Sequence, residues 1–389
     1  MKRGKKQRIG FFTRLLLVLS FLLISPQRAS AAGLSPELAG ALQGQMEAAG
    51  VEQLQERLPN ETQQLLSQLL QGKLDIGRLL SLSPGDFVEL LVQLIREGIR
   101  RPFAAFGMIG GIILLCALAG ALGEGFQAGE LSSVYTAVSV LCVVAAVAKP
   151  VSECIVAGAQ AIRDCSVFML SFIPVFTSVV SVSGAPVTAS TYNLLLFSAC
   201  QLVSGVASGV LVPFMGMYTG LCIAGSVGED IGILPLAKGI RSFVTWGLTL
   251  LMTAYAGLLS MQTLVSTGAD GAMLKAGKFL VGSFVPIVGG AISDALGAAQ
   301  GAMKLLKASI GAFGILAGAL SFLPVLLKVL LWYLALKCGG LLCGMLAMGK
   351  LRGLLEACSD CLMTMLALLF SFMLLIIVSI VLLLSLSGG

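Results

Sequence analysis

From Phe103 to Gly389 the chain is a succession of apolar runs, most of them long enough to cross about 30 Å of hydrocarbon as a helix. No soluble globule accommodates such a sequence. Only 11% of the residues are charged against 57% hydrophobic, and the mean hydropathy is +0.98. Polar side chains are too few to cover a water-exposed surface of this size. The fold class is therefore all-α: a polytopic transmembrane helix bundle. The runs Phe103–Gly123, Leu131–Ala148, Cys165–Ser183, Tyr192–Ala207, Val210–Val227, Phe243–Val265, Ser309–Leu331 and Leu362–Leu386 are the candidate spans. Phe279–Gln300 is a further apolar run that either crosses or dips in and returns, so the expectation is seven to nine spans.

Histidine is absent. That excludes His-assisted hydrolysis, His-containing zinc centres and haem ligation through His. No GxxxxGK[ST] occurs, so the chain carries no P-loop ATPase of its own. The sequence supports neither a catalytic constellation nor a cofactor site. Its net charge of +6 is concentrated at one end: Lys2, Arg3, Lys5, Lys6, Arg8, Arg14 and Arg28 stand in a stretch without a single acid. The basicity reads as a targeting signal, and no nucleic-acid surface is present.

That basic segment is followed by a short apolar run, Leu15–Ile24, then Pro26 and the small residues Ala29-Ser30-Ala31. Residues 1–32 read as a cleavable signal peptide, because the apolar run is too short to span as a helix. Residues 33–102 then form an extracytoplasmic amphipathic helical region. Ser83 is an N-cap, Pro84 fits the first helical position, and Asp86 sits where the helix dipole favours an anion. Phe87, Leu90, Leu91, Leu94 and Ile95 follow at helical spacing, and Leu65, Leu66, Leu69 and Leu70 make a second stripe. This region is a small helical domain or a set of amphipathic helices lying on the membrane, or else a docking surface for partners outside the membrane. Residues 103–389 form the multi-pass domain.

Within that domain one pattern recurs three times. Ser171-Phe172-Ile173-Pro174-Val175, Ser283-Phe284-Val285-Pro286-Ile287 and Ser321-Phe322-Leu323-Pro324-Val325 share Ser-Phe-aliphatic-Pro-aliphatic. Proline removes a backbone donor and crowds the preceding turn. Pro174, Pro213 and Pro324 are therefore helix-break candidates, with simple packing kinks as the alternative. The segment carrying Lys278, Phe279, Gly282, Phe284, Pro286, Gly289 and Asp294 is a candidate structural or pore element, since its glycines and proline disfavour a straight helix and Asp294 adds a carboxylate. Small-xxx-small pairs at Gly107/Gly111, Gly205/Gly209, Gly216/Gly220, Gly297/Gly301 and Gly314/Gly318 favour close helix contact. Cys358-Ser359-Asp360-Cys361 has redox or zinc spacing but no second pair, and reads as structural. Lys328, ahead of Trp332 and Tyr333, reads as a side chain reaching for an interface.

The block Leu259-Ser260-Met261-Gln262, Asp270-Gly271, Lys278-Phe279-Leu280-Val281-Gly282-Ser283-Phe284-Val285-Pro286-Ile287-Val288-Gly289 and Asp294-Ala295 resembles the stage III sporulation protein AE family. The family pattern is Ser-x-Gln-Gly, Asp-Gly, Lys-Phe-x-x-Gly-Asn-Phe-Ile-Pro-Val-Ile-Gly and Asp-Ala. This chain departs from it at Ser283, where Asn is usual, and in the loop around Ala269. The resemblance implies a mother-cell membrane protein made during sporulation. It implies a non-enzymatic subunit of an eight-protein, secretion-like channel complex in the outer forespore membrane, needed for forespore development after engulfment. Its partners would be the bilayer, the other subunits including a separate ATPase, and a forespore-side protein. The residues alone leave a second reading open: a stand-alone secondary transporter with a site at proline-broken helices.

Overall fold

The computed structural model describes Gly44 and residues 50–70, 82–123, 129–183, 185–227, 233–284, 289–346 and 348–386. Among these, side chains are described except at 51–52, 84, 119–123, 129–136, 227, 233–234, 261–284, 289–302 and 385–386. The expected signal peptide lies outside the described residues.

All described elements are helices. The order is α1 (Val51–Glu56), α2 (Asn60–Leu70), α3 (Pro84–Gly98), α4 (Arg100–Gly123), α5 (Gly129–Val182) and α6 (Pro186–Val206). A π-helical turn at Ala207–Leu211 leads into α7 (Val212–Val227), followed by α8 (Ile233–Phe284), α9 (Gly289–Met345) and α10 (Gly349–Leu386). Helix α3 begins as its sequence dictates. Gly85 N–H donates to Ser83 Oγ at 2.9 Å, and Ser83 N–H donates to Asp86 Oδ2 at 2.9 Å, which closes a reciprocal cap.

Among the described residues six helical stretches are long and apolar enough to cross a membrane: 100–118, 137–182, 186–226, 235–260, 303–345 and 349–384. Two pairs of the runs expected as separate spans are continuous here. Leu131–Ala148 and Cys165–Ser183 belong to one helix of 54 residues, α5. Tyr192–Ala207 and Val210–Val227 are joined through the π turn. Helices α5, α8 and α9 are each about 80 Å long at 1.5 Å per residue, far longer than one hydrocarbon layer.

The core is aliphatic and phenylalanine-rich. Helices α9 and α10 are antiparallel along most of their length, with Gly311 against Leu384, Gly318 against Ile376 and Gly340 against Leu355. Helix α5 lies on this pair. Phe168 sits 5.6 Å from Phe172 and 6.3 Å from Phe313, ring centre to ring centre, and Phe322 sits 5.8 Å from Phe372. The rings are buried and stack or meet edge-on, which adds to their area burial. The buried Ser309 and Ser321 hydroxyls donate to the carbonyls four residues back, those of Leu305 and Ala317.

Candidate functional site

Among the described residues, two of the places where polar groups enter this apolar body involve an arginine. The first is the seam between the N-terminal helices and the bundle. Leu54, Leu58, Leu65, Leu66 and Leu70 are buried, so one stripe of α1 and α2 is committed to the bundle. Helix α2 packs on α9 and α1 on α5. Two hydrogen bonds fix the register: Arg57 Nη1 donates to Ser171 Oγ at 2.9 Å, and Thr62 Oγ1 to Ser321 Oγ at 3.4 Å. Ser171 and Ser321 open two of the three recurring pentapeptides. The phenylalanine that follows each, Phe172 and Phe322, is buried in the core. Consecutive helix positions point about 100° apart. The Ser-Phe pair thus serves two neighbours at once, the serine the N-terminal helices and the phenylalanine the bundle.

The prolines of these repeats do not end their helices. Pro174 lies inside α5 and Pro324 inside α9. Pro174 is exposed and Pro324 partly so, on the side where a missing backbone donor is least disruptive. Pro213 is different. It follows the π turn directly, and Val212 N–H donates five residues back, to Ala207 O.

The second place is the region around α7. Arg241 Nη1 donates to Asp360 Oδ2 at 2.6 Å, an ion pair between α8 and α10 with side chains 32% and 17% exposed. Beside it Thr219 Oγ1 donates to Cys361 Sγ at 3.0 Å and to Met215 O at 2.9 Å. Cys358 and Cys361 are buried and unlinked, which fits the structural reading of that pair. Among the described residues no three His, Cys, Asp or Glu side chains are grouped to hold a metal. A groove of about 520 Å³ runs along α7, between it and α5. Its polar lining comes from Ser152, Gln160, Arg163, Ser208 and Thr219. Gln160 Nε2 donates to Asp164 Oδ1 at 2.7 Å.

The sequence singled out neither the ion pair nor the groove. Arg241 and Asp360 are 119 residues apart, and only the packing of α8 on α10 joins them. A signal existed: each is a charge set inside an apolar run. Of the expected pore element, Lys278, Phe279, Gly282 and Phe284 belong to the last turns of α8, and Gly289 and Asp294 to the first turns of α9. Pro286 lies outside the described residues, and the side chains of the whole segment do too. Lys328 is exposed on α9.

Residues 61–387 match the family described as stage III sporulation protein AE. The stage III sporulation protein AE of Bacillus subtilis strain 168 is 22% identical over 235 residues, covering 60% of this chain and 59% of that protein. No solved structure matches the chain.

Proposed function

Because the chain belongs to the stage III sporulation protein AE family, membrane-associated and non-enzymatic, we propose that it is an integral subunit of a sporulation-specific, secretion-like channel complex. In this reading the complex sits in the outer forespore membrane and serves forespore development after engulfment. A separate ATPase and a forespore-side protein are its partners, with the bilayer around the bundle. Residues 1–32 direct export, residues 33–102 face away from the mother-cell cytoplasm, and residues 103–389 cross the membrane. The segment from Lys278 to Asp294 contributes to the passage, and a return of the chain there would raise the crossings toward seven to nine.

The observation that carries this reading is the match over residues 61–387, which takes in nearly all of α2, with α3 and the bundle. The seam at Ser171 and Ser321 supports it further. A rigidly docked N-terminal region holds any partner at a fixed place over the bundle, as a scaffold subunit requires. Affinity purification from sporulating cells, with mass spectrometry of what co-purifies, tests it. The expected result is a set of small membrane proteins with a secretion-type ATPase. Isolation of the chain alone, with a spore yield unaffected by deletion, would leave the transporter reading in its place.

A further inference from the structure

The groove between α5 and α7 is held open by two glycines. A Cβ built at Gly216 or Gly220 meets nothing within 4 Å. Helices α5, ending at Val182, and α6–α7, beginning at Pro186, pack as an antiparallel hairpin. Counted from those ends, Arg163 stands level with Ser208, and Ala148 with Ile223. One end of the groove is therefore polar, with Gln160, Arg163 and Ser208. The rest is mostly aliphatic or bare backbone. From Arg163 to Ala148 it runs about 22 Å at 1.5 Å per residue.

The polar end has unused capacity. Arg163 makes no ion pair or hydrogen bond among the described residues, although its helix is one of those apolar enough to cross. Pro213 has no N–H, and Val212 N–H already goes to Ala207 O. The regular donors to the carbonyls of Ser208 and Gly209, Val212 N–H and an N–H at 213, are therefore both withdrawn. A guanidinium matches a phosphate through paired N–H donors. The apolar remainder is longer than half the hydrocarbon layer, about 15 Å, and so long enough for an acyl chain. A soluble anion would leave that remainder empty, and a neutral lipid would leave the guanidinium unpaired at membrane depth.

We propose that this groove binds one phospholipid, with its phosphate on Arg163 and an acyl chain laid along Pro213, Gly216 and Gly220. A headgroup hydroxyl or amine donates to the under-bonded carbonyls of Ser208 and Gly209. The site stands apart from whatever passes through the assembly, and its test does not depend on that reading.

The glycines make the test clean. The full-length protein is purified in detergent, washed free of lipid and titrated with phosphatidylglycerol in mixed micelles, with inorganic phosphate as a separate titrant. Saturable lipid binding is expected, weakened about tenfold or more by Arg163→Ala and by Gly220→Leu, and less by Arg163→Lys. Gly220→Leu should keep the wild-type helix content and melting temperature, because its side chain enters open space. Equal lipid affinity in the wild type, Arg163→Ala and Gly220→Leu would overturn the proposal. So would saturable binding of inorganic phosphate, lost in Arg163→Ala, with no saturable lipid binding; the site would then belong to a soluble anion.

Discussion

Gly314/Gly318 and Gly216/Gly220 are the same pattern in sequence and opposite structures in space. At Gly314 an added Cβ would run into the ring of Phe172, and at Gly318 it would come 3.3 Å from Ile376 Cγ2. There the absent side chain lets α5 and α10 close on α9. At Gly216 and Gly220 nothing approaches, and the absent side chains leave a groove. Gly107/Gly111 and Gly205/Gly209 also meet nothing. Close helix contact, which such pairs favour without locating one interface, is present at Gly314/Gly318 and absent at the three open ones. The Gly297/Gly301 pair lies outside the described side chains. The difference is in the partner. Gly314 faces a buried phenylalanine that needs the space, whereas no atom of the neighbouring helices comes within 4 Å of a Cβ at Gly216 or Gly220.

Substitutions can break this contrast, and the largest effect belongs to the closed side. Gly314→Leu should destabilise the protein by about 3 kcal/mol, since the buried Phe172 ring has nowhere to go. Thermal melting of the detergent-solubilised protein reads this as a lowered midpoint. Adding Phe172→Ala should recover part of the loss, because the new side chain then fills the space the ring leaves. Asp360→Ala comes next. It strands the partly buried Arg241 beside α7, at a cost of about 2 kcal/mol. The double variant Arg241→Ala with Asp360→Ala should melt above Asp360→Ala alone.

Gly158→Leu sharpens the comparison from within the closed side. Its Cβ would meet the flexible end of Met365, which can swing away, so the expected loss is about 1 kcal/mol, below that of Gly314→Leu. Gly216→Ala is the smallest and has the opposite sign. An exposed glycine inside a helix with open space around it should gain about 0.5 kcal/mol on substitution, seen as a slightly raised melting midpoint.

Much of the architecture was legible in the residues. Apolar run length dictated a helical membrane body, and Ser83, Pro84 and Asp86 marked the start of α3 as the structure has it. The number of crossings was not legible, because Lys149 and Pro150 suggest a boundary after Leu131–Ala148 while the helix runs on through them. The recurring pentapeptides are visible in the sequence, and their prolines are the residues with the plainest local consequence. The serines and phenylalanines do the packing, since a proline on an exposed helix face disturbs little whereas a buried ring cannot be moved. Arg163 could not be singled out from sequence. Its neighbours in the groove come from α7, and no local pattern reports an opening that depends on what another helix lacks.

Thiol labelling tests the contrast most directly. In full-length protein whose ten native cysteines have been replaced, Gly216→Cys, Gly220→Cys, Gly314→Cys and Gly318→Cys are compared one at a time. A small maleimide is applied to the folded, detergent-solubilised protein and again after denaturation. The account predicts rapid modification at 216 and 220 in the folded state, and modification at 314 and 318 only after unfolding. Equal protection at all four positions, in variants that remain folded, would contradict it: the groove would then be a closed helix contact like the other.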